Sequence, residues 1–135
     1  MTTVLTGVDG VTGAVGSHLG YSAWLELTNE AVARFTAATG DPEPLVNGNF
    51  VLALSNFFLP QIVDVREVSM GVNYGTGRVC FPRRARVGSR LRAGAELVSA
   101  EPVPGGVQTI MRITIETEGE IQPACVIESL SRYLA

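Results

Sequence analysis

Lysine is absent from this 135-residue chain; all ten of its basic residues are arginine. With abundant Ala, Gly and Val, that bias points to a GC-rich genome rather than to a mechanism. Histidine occurs once, as His18, and cysteine twice, as Cys80 and Cys125. Two thiols and one imidazole do not supply the four ligands of a structural zinc site, so no metal is expected. Thiols this few fit a reducing compartment and are expected unbridged. Long apolar runs are missing too. The longest, about ten residues from Phe50 to Pro60, is broken by Asn56 and is far shorter than a membrane span. The N-terminal stretch MTTVLTGVDG lacks a basic region followed by an apolar core, so no signal peptide is read there and the expected location is cytoplasmic. A net charge of −3 argues against general nucleic-acid binding.

What is present suffices for one compact domain spanning residues 1–135. Hydrophobic residues make up 46% and charged residues 17%, enough to bury a core. The first twenty residues, rich in Gly and Thr, carry weak signals and read as short strands or loops. Their GVDGVTGAVG does not follow a strand in a strand–helix–strand unit, which excludes a dinucleotide loop. LTNEAVARFTAATGD reads as a helix: Thr28 caps it, Glu30 suits its positive end, Ala31, Val32, Phe35 and Ala38 share a side, and Gly40 ends it. GNFVLALSNFFLP reads as a second helix, apolar nearly all round and therefore expected to be buried. Asn47 or Asn49 can cap it, and Pro60 is expected to limit its end.

The remainder alternates with period two, the mark of half-buried antiparallel strands. QIVDVREVSM does so in part. In SRLRAGAELVSA, Leu91, Ala93, Ala95 and Leu97 face one way, and Arg90, Arg92 and Glu96 the other. VQTIMRITIETEG places Thr109, Met111, Ile113 and Ile115 on one face, and ACVIESLSRYL is the last strand. The economical arrangement is an α+β fold in which an antiparallel sheet wraps round a central apolar helix. Trp24 and Phe35 are expected in the core. The arginines cluster: Arg78, Arg83, Arg84, Arg86, Arg90 and Arg92 lie within fifteen residues. They form either a solvated strand edge or a patch that attracts a phosphorylated ligand or an acidic carrier domain.

Three segments together resemble a known family. VGSHLGYSAWLELTNEAVARFTAATGD ends in Thr-Gly-Asp. VSMGVNYGTGRVCFPRRARVGSRLRAGAELVSAE carries Asn-Tyr-Gly, Arg-x-x-Phe-Pro and Val-Gly-x-x-Leu-Arg. GGVQTIMRITIETEGEIQPACVIESLSRYL carries Pro-Ala-Cys at the entry to the last strand. The order and spacing are similar to those of the MaoC-like hydratases and dehydratases, which have the hot-dog fold. The resemblance implies that fold, usually as a homodimer with one continuous sheet. It also implies an (R)-specific enoyl-CoA hydratase or dehydratase activity on an acyl thioester, delivered by coenzyme A or a carrier protein, with no cofactor.

In that family an Asp and a His five residues later hold a water, and a helix-start glycine N–H polarises the thioester carbonyl. On this chain Asp41 matches the Asp and Gly48 the glycine. Asn47 stands where a His is common. The position five after Asp41 is Val46, so the catalytic His is missing, together with the family's overhang segment; Pro42, Pro44 and Leu45 stand in that stretch. His18 does not replace it. Tyr74 and Arg78 sit in the segment expected to neighbour the ligand and are substrate-binding candidates; the alternative is a tyrosine packed at a strand bend with an arginine in solvent. Three readings follow. The chain carries altered chemistry on Asp41, Gly48 and Asn47, such as isomerisation, cyclisation, dehydration or thioester hydrolysis. Alternatively it is a non-catalytic subunit that completes a heterodimer with an intact homologue, or it retains residual hydratase activity.

Overall fold

The computed structural model describes residues 2–41 and 45–135; Pro42 and Pro44 lie outside them. The described elements run β1 (Thr3–Thr6), α1 (Gly7–Gly13), β2 (His18–Tyr21), β3 (Leu25–Glu26), α2 (Asn29–Thr39), α3 (Gly48–Ala53), α4 (Ser55–Ile62), β4 (Val63–Arg66), β5 (Met70–Cys80), β6 (Arg90–Val103), β7 (Gly106–Thr117) and β8 (Cys125–Leu134). Five strands form a sheet in the order β2-β6-β7-β8-β5, and β3 adds to β6. All its pairings are antiparallel.

The alternation of the long strands decides which face the helix meets. Leu91, Ala93, Ala95 and Leu97 of β6 are all buried, as are Thr109, Met111, Ile113 and Ile115 of β7. Phe58 and Ile62 of α4 are fully buried in the same cluster. Ala93 and Ala95 are small and buried on the face that the helix covers. On the opposite face Arg90 pairs with Glu118 at 3.0 Å, Arg92 with Glu116, and Arg112 with Glu96 at 3.7 Å. This is the hot-dog architecture, an antiparallel sheet around a central helix.

Several expectations need correction. Gly7–Gly13 is a helix rather than a strand or loop, held by the burial of Val11 and not by its glycine-rich sequence. The central helix is not buried all round. Asn49, Ala53, Asn56, Phe57 and Pro60 are exposed along one stripe, with Phe57 at 53%. Pro60 lies inside α4, which continues to Ile62. α3 and α4 are separated only by Leu54, itself helical at φ −63° and ψ −15°, so they form one rod. QIVDVREVSM does not form one strand of the main sheet: the helix takes its first two residues, and β4 pairs in parallel with β1. Trp24 is half-buried beneath the Arg92 guanidinium, 4.7 Å from its ring, rather than in the core. Phe35 is half-buried and stacks on Phe50 with ring centroids 5.0 Å apart. Among the described residues no helix is long and apolar enough to cross a membrane.

Candidate active site at the head of the central helix

α2 ends where the sequence predicts. Gly40 takes the left-handed conformation, φ 72°, that closes a helix without a Cβ clash. Asp41 follows it. Asn47 then opens the central rod, and its Nδ2 donates to Asp41 Oδ2 at 2.8 Å. Its Oδ1 accepts from the Asn49 N–H at 2.7 Å, the standard cap geometry. One side-chain amide thus caps the helix and holds the carboxylate, and both atoms are spoken for.

The Asn47 carbonyl accepts from Phe50 and Val51 N–H at 3.0 and 3.4 Å. Among the described residues the Gly48 N–H has no acceptor, so it is a free donor at the positive end of the rod. A Cβ on Gly48 would sit 3.0 Å from Phe81 Cδ1. The Phe81 ring therefore rests close on the first helical turn, and a side chain at Gly48 would have to displace it.

Asp41, Asn47 and Gly48 line one cavity of about 200 Å³, with Leu45, Val46 and Arg84. An adjoining cavity of about 250 Å³ shares Asn47, Gly48 and Arg84 and adds Phe81, Ala85 and Ala124. A wider groove of about 580 Å³ runs outward past Leu45 and Val87 along Arg83, Arg84 and Arg86. Val46 is 4% exposed and presents only methyl groups.

The arginine cluster divides. Arg83 pairs with Glu120 at 3.1 Å, and Arg90 and Arg92 pair on the outer face of the sheet. Among the described residues Arg84 and Arg86 make no ion pair, and both line the groove. The structure does not bring Tyr74 or Arg78 to the Asp41 cavity within one chain. Both sit at irregularities in the β5–β8 pairing. Tyr74 is 55% exposed beneath Arg132, whose guanidinium lies 3.9 Å from its ring, and the Arg78 N–H donates to Glu128. His18 is exposed on β2, against Tyr21. Among the described residues no three His, Cys, Asp or Glu side chains converge as metal ligands would.

No family model matches the chain. It is 37% identical to 3-hydroxyacyl-thioester dehydratase Z of Mycobacterium tuberculosis, over 139 residues that cover 90% of this chain and 92% of the relative. The chain belongs to the MaoC-like hydratase/dehydratase family. An alignment of that length over 90% of 135 residues leaves room for segments that the relative has and this MaoC-like chain does not. The fold agrees. The MaoC-like dehydratase from Rhodospirillum rubrum superposes with a TM-score of 0.73 at 16% identity, covering 90% of this chain and 92% of that one. The ChsH1–ChsH2 complex from Mycobacterium tuberculosis gives 0.65 at 9%, covering 90% and 98%.

The geometry adds two residues to the sequence-based site of this MaoC-like protein. Phe81 lies in the Arg-x-x-Phe-Pro segment, where the sequence reading placed weight on Arg78 instead. Arg84 was one of six clustered arginines, and no local signal separates it from those that pair with glutamates.

Proposed function

We propose that this chain acts on an acyl thioester, with Asp41 moving the proton and the Gly48 N–H holding the thioester oxygen. The observation that carries the reading is the 2.8 Å bond from Asn47 to Asp41, which holds a carboxylate beside the free donor of the helix head. The dehydratase name of the 37% identical relative supports the substrate class.

Proton removal next to the carbonyl moves the C–H electron pair into an enolate. The helix N-terminus stabilises the oxygen as its charge grows. The protonated Asp41 then returns its proton. Delivered to a leaving hydroxyl, it expels water and completes a dehydration; delivered to another carbon, it completes an isomerisation. Val46 can neither hold nor orient a water, so the water that leaves in dehydration, or attacks in the reverse hydration, exchanges its proton with Asp41 alone. Asn47 holds Asp41 in place and takes no proton itself. The free guanidiniums of Arg84 and Arg86 suit the phosphates of a coenzyme A or carrier-bound thioester.

Asp41→Ala, assayed with (R)-3-hydroxybutanoyl and crotonyl thioesters, should lose activity by on the order of a hundredfold to ten-thousandfold. Unchanged turnover would reject the assignment.

The exposed stripe of the rod and the open edge of β5 favour assembly with a second hot-dog chain. We propose a homodimer in which β5 pairs with its mate and carries Tyr74 and Arg78 to the interface. Phe57→Asp should then shift sedimentation from dimer to monomer, and a monomeric wild type would end this proposal. A hetero-oligomer is the second reading, since Val46 removes a catalytic group that a partner subunit can supply. Activity of a purified homodimer alone would exclude it.

A further inference from the structure

Between the end of β5 at Cys80 and the start of β6 at Arg90, the chain carries Arg83, Arg84 and Arg86, all exposed, around the buried Ala85. Arg83 pairs with Glu120 at 3.1 Å, and its N–H donates to the Pro123 carbonyl at 3.2 Å. These two contacts hold the turn between β7 and β8 beside the arginines, and with it Ile121, which is fully exposed. Leu45 and Val87 are exposed as well and line the outward groove with the three arginines.

Apolar side chains left in water beside unpaired guanidiniums have the composition of a protein-binding patch. None of these residues belongs to the exposed stripe of the rod or to β5, so the surface proposed for a second chain does not include them. Charge narrows the partner. The whole chain carries −3, yet among the described residues Arg84 and Arg86 have no carboxylate to neutralise them. An acidic partner is drawn to this one place on a chain that is acidic overall.

Resting on the thioester reading above, we propose that this patch docks an acidic carrier domain, which delivers the acyl group on its prosthetic arm. Carboxylates of the carrier pair with Arg84 and Arg86, and apolar side chains between them cover Leu45, Val87 and Ile121. The groove shares Leu45, Val46 and Arg84 with the Asp41 cavity, so an arm entering beside Arg84 leads to the helix head. A free nucleotide fits less well. Apart from arginine, the groove's side chains are all aliphatic and offer a purine base neither an aromatic face nor an acceptor. A fully exposed isoleucine gives nothing to a phosphate.

The test measures kcat and KM for one acyl group, (R)-3-hydroxybutanoyl, carried by an acidic acyl carrier protein, by coenzyme A and by pantetheine. The carrier thioester should have the lowest KM at low salt. Raising NaCl to about 0.5 M should increase that KM, because screening shortens the reach of the arginines. Ile121→Ser lies on an exposed turn and should fold as the wild type does. It should raise the carrier KM about fivefold and leave kcat and the coenzyme A thioester's KM unchanged. Arg86→Glu should raise the carrier KM further and remove its salt dependence. A coenzyme A thioester used as well as the carrier's and better than pantetheine's would assign the arginines to nucleotide phosphates and overturn the docking. Equal values for all three thioesters, or a carrier KM that neither substitution moves, would overturn it too. Each of these results leaves the thioester reading standing. Turnover of none of the three would remove that reading, and the docking with it.

Discussion

Asn47 does two jobs at one point of the chain. Its oxygen takes the Asn49 N–H, its nitrogen holds Asp41, and the Gly48 donor is left free. Asn47 as a cap was legible in the sequence because that role is local, and Asp41 and Gly48 were legible through the family resemblance. Phe81 was not, because its contact with Gly48 joins positions far apart in the chain. That contact makes a prediction. In Gly48→Ala the new methyl pushes on a ring that is half in solvent and can turn away, so Tm should change by only a few degrees. The displaced ring lies at the mouth of the cavity, so kcat/KM should fall in the same protein. A variant that keeps full activity would show that Phe81 has no part in shaping the site.

The α3–α4 rod depends on its first residue for both stability and site geometry. Asn47→Ala leaves the Asn49 N–H without its cap and should cost about 1 kcal/mol in denaturant unfolding. It also removes the Asn47 bond to Asp41, so activity should fall further than stability does. Asn47→Asp separates the two effects. It retains a capping oxygen but sets a second carboxylate against Asp41, and like charges raise a carboxyl pKa. Its stability should stay near wild type while the acidic limb of the pH–rate profile moves up; an unmoved limb would place Asp41 outside the proton transfer. Pro60 illustrates a different point. It lacks an N–H and was expected to stop the rod, yet α4 continues to Ile62. Burial of Phe58 and Ile62 outweighs the missing hydrogen bond, since each large apolar side chain contributes about 1.5–3 kcal/mol when fully buried.

Across the whole molecule, the sheet buries Cys125 at the start of β8, and desolvation pushes its thiol from 9.0 up to about 11, with Cys80 adding in the same direction. Burial raises Tyr133 as well. The folded protein therefore keeps a proton on Cys125 that the unfolded chain releases above pH 9. Stability is intact below pH 9 and declines as the pH rises towards 11, by up to about 2 kcal/mol from the thiol. Urea midpoints at pH 8 and pH 10.5 should show this loss, and Cys125→Ala should reduce it; an equal loss in that variant would assign the effect to other groups. The ion pairs of the outer face are half in solvent and contribute little by comparison.

By itself the sequence determined the period-two strands, which residues of β6 and β7 turn inward, the caps at Thr28 and Gly40, and a cap at Asn47 or Asn49. Each is set by neighbours a few positions away, where backbone geometry leaves few choices; the family was legible from the order and spacing of three longer segments. Only the tertiary structure decided that Gly7–Gly13 is helical, that among the described residues Arg84 and Arg86 stay unpaired while Arg83, Arg90 and Arg92 do not, and that a cavity lies between the rod and strands β5, β7 and β8. Those outcomes depend on which distant segments meet, and side-chain pairing and burial across a sheet leave no mark in the local pattern.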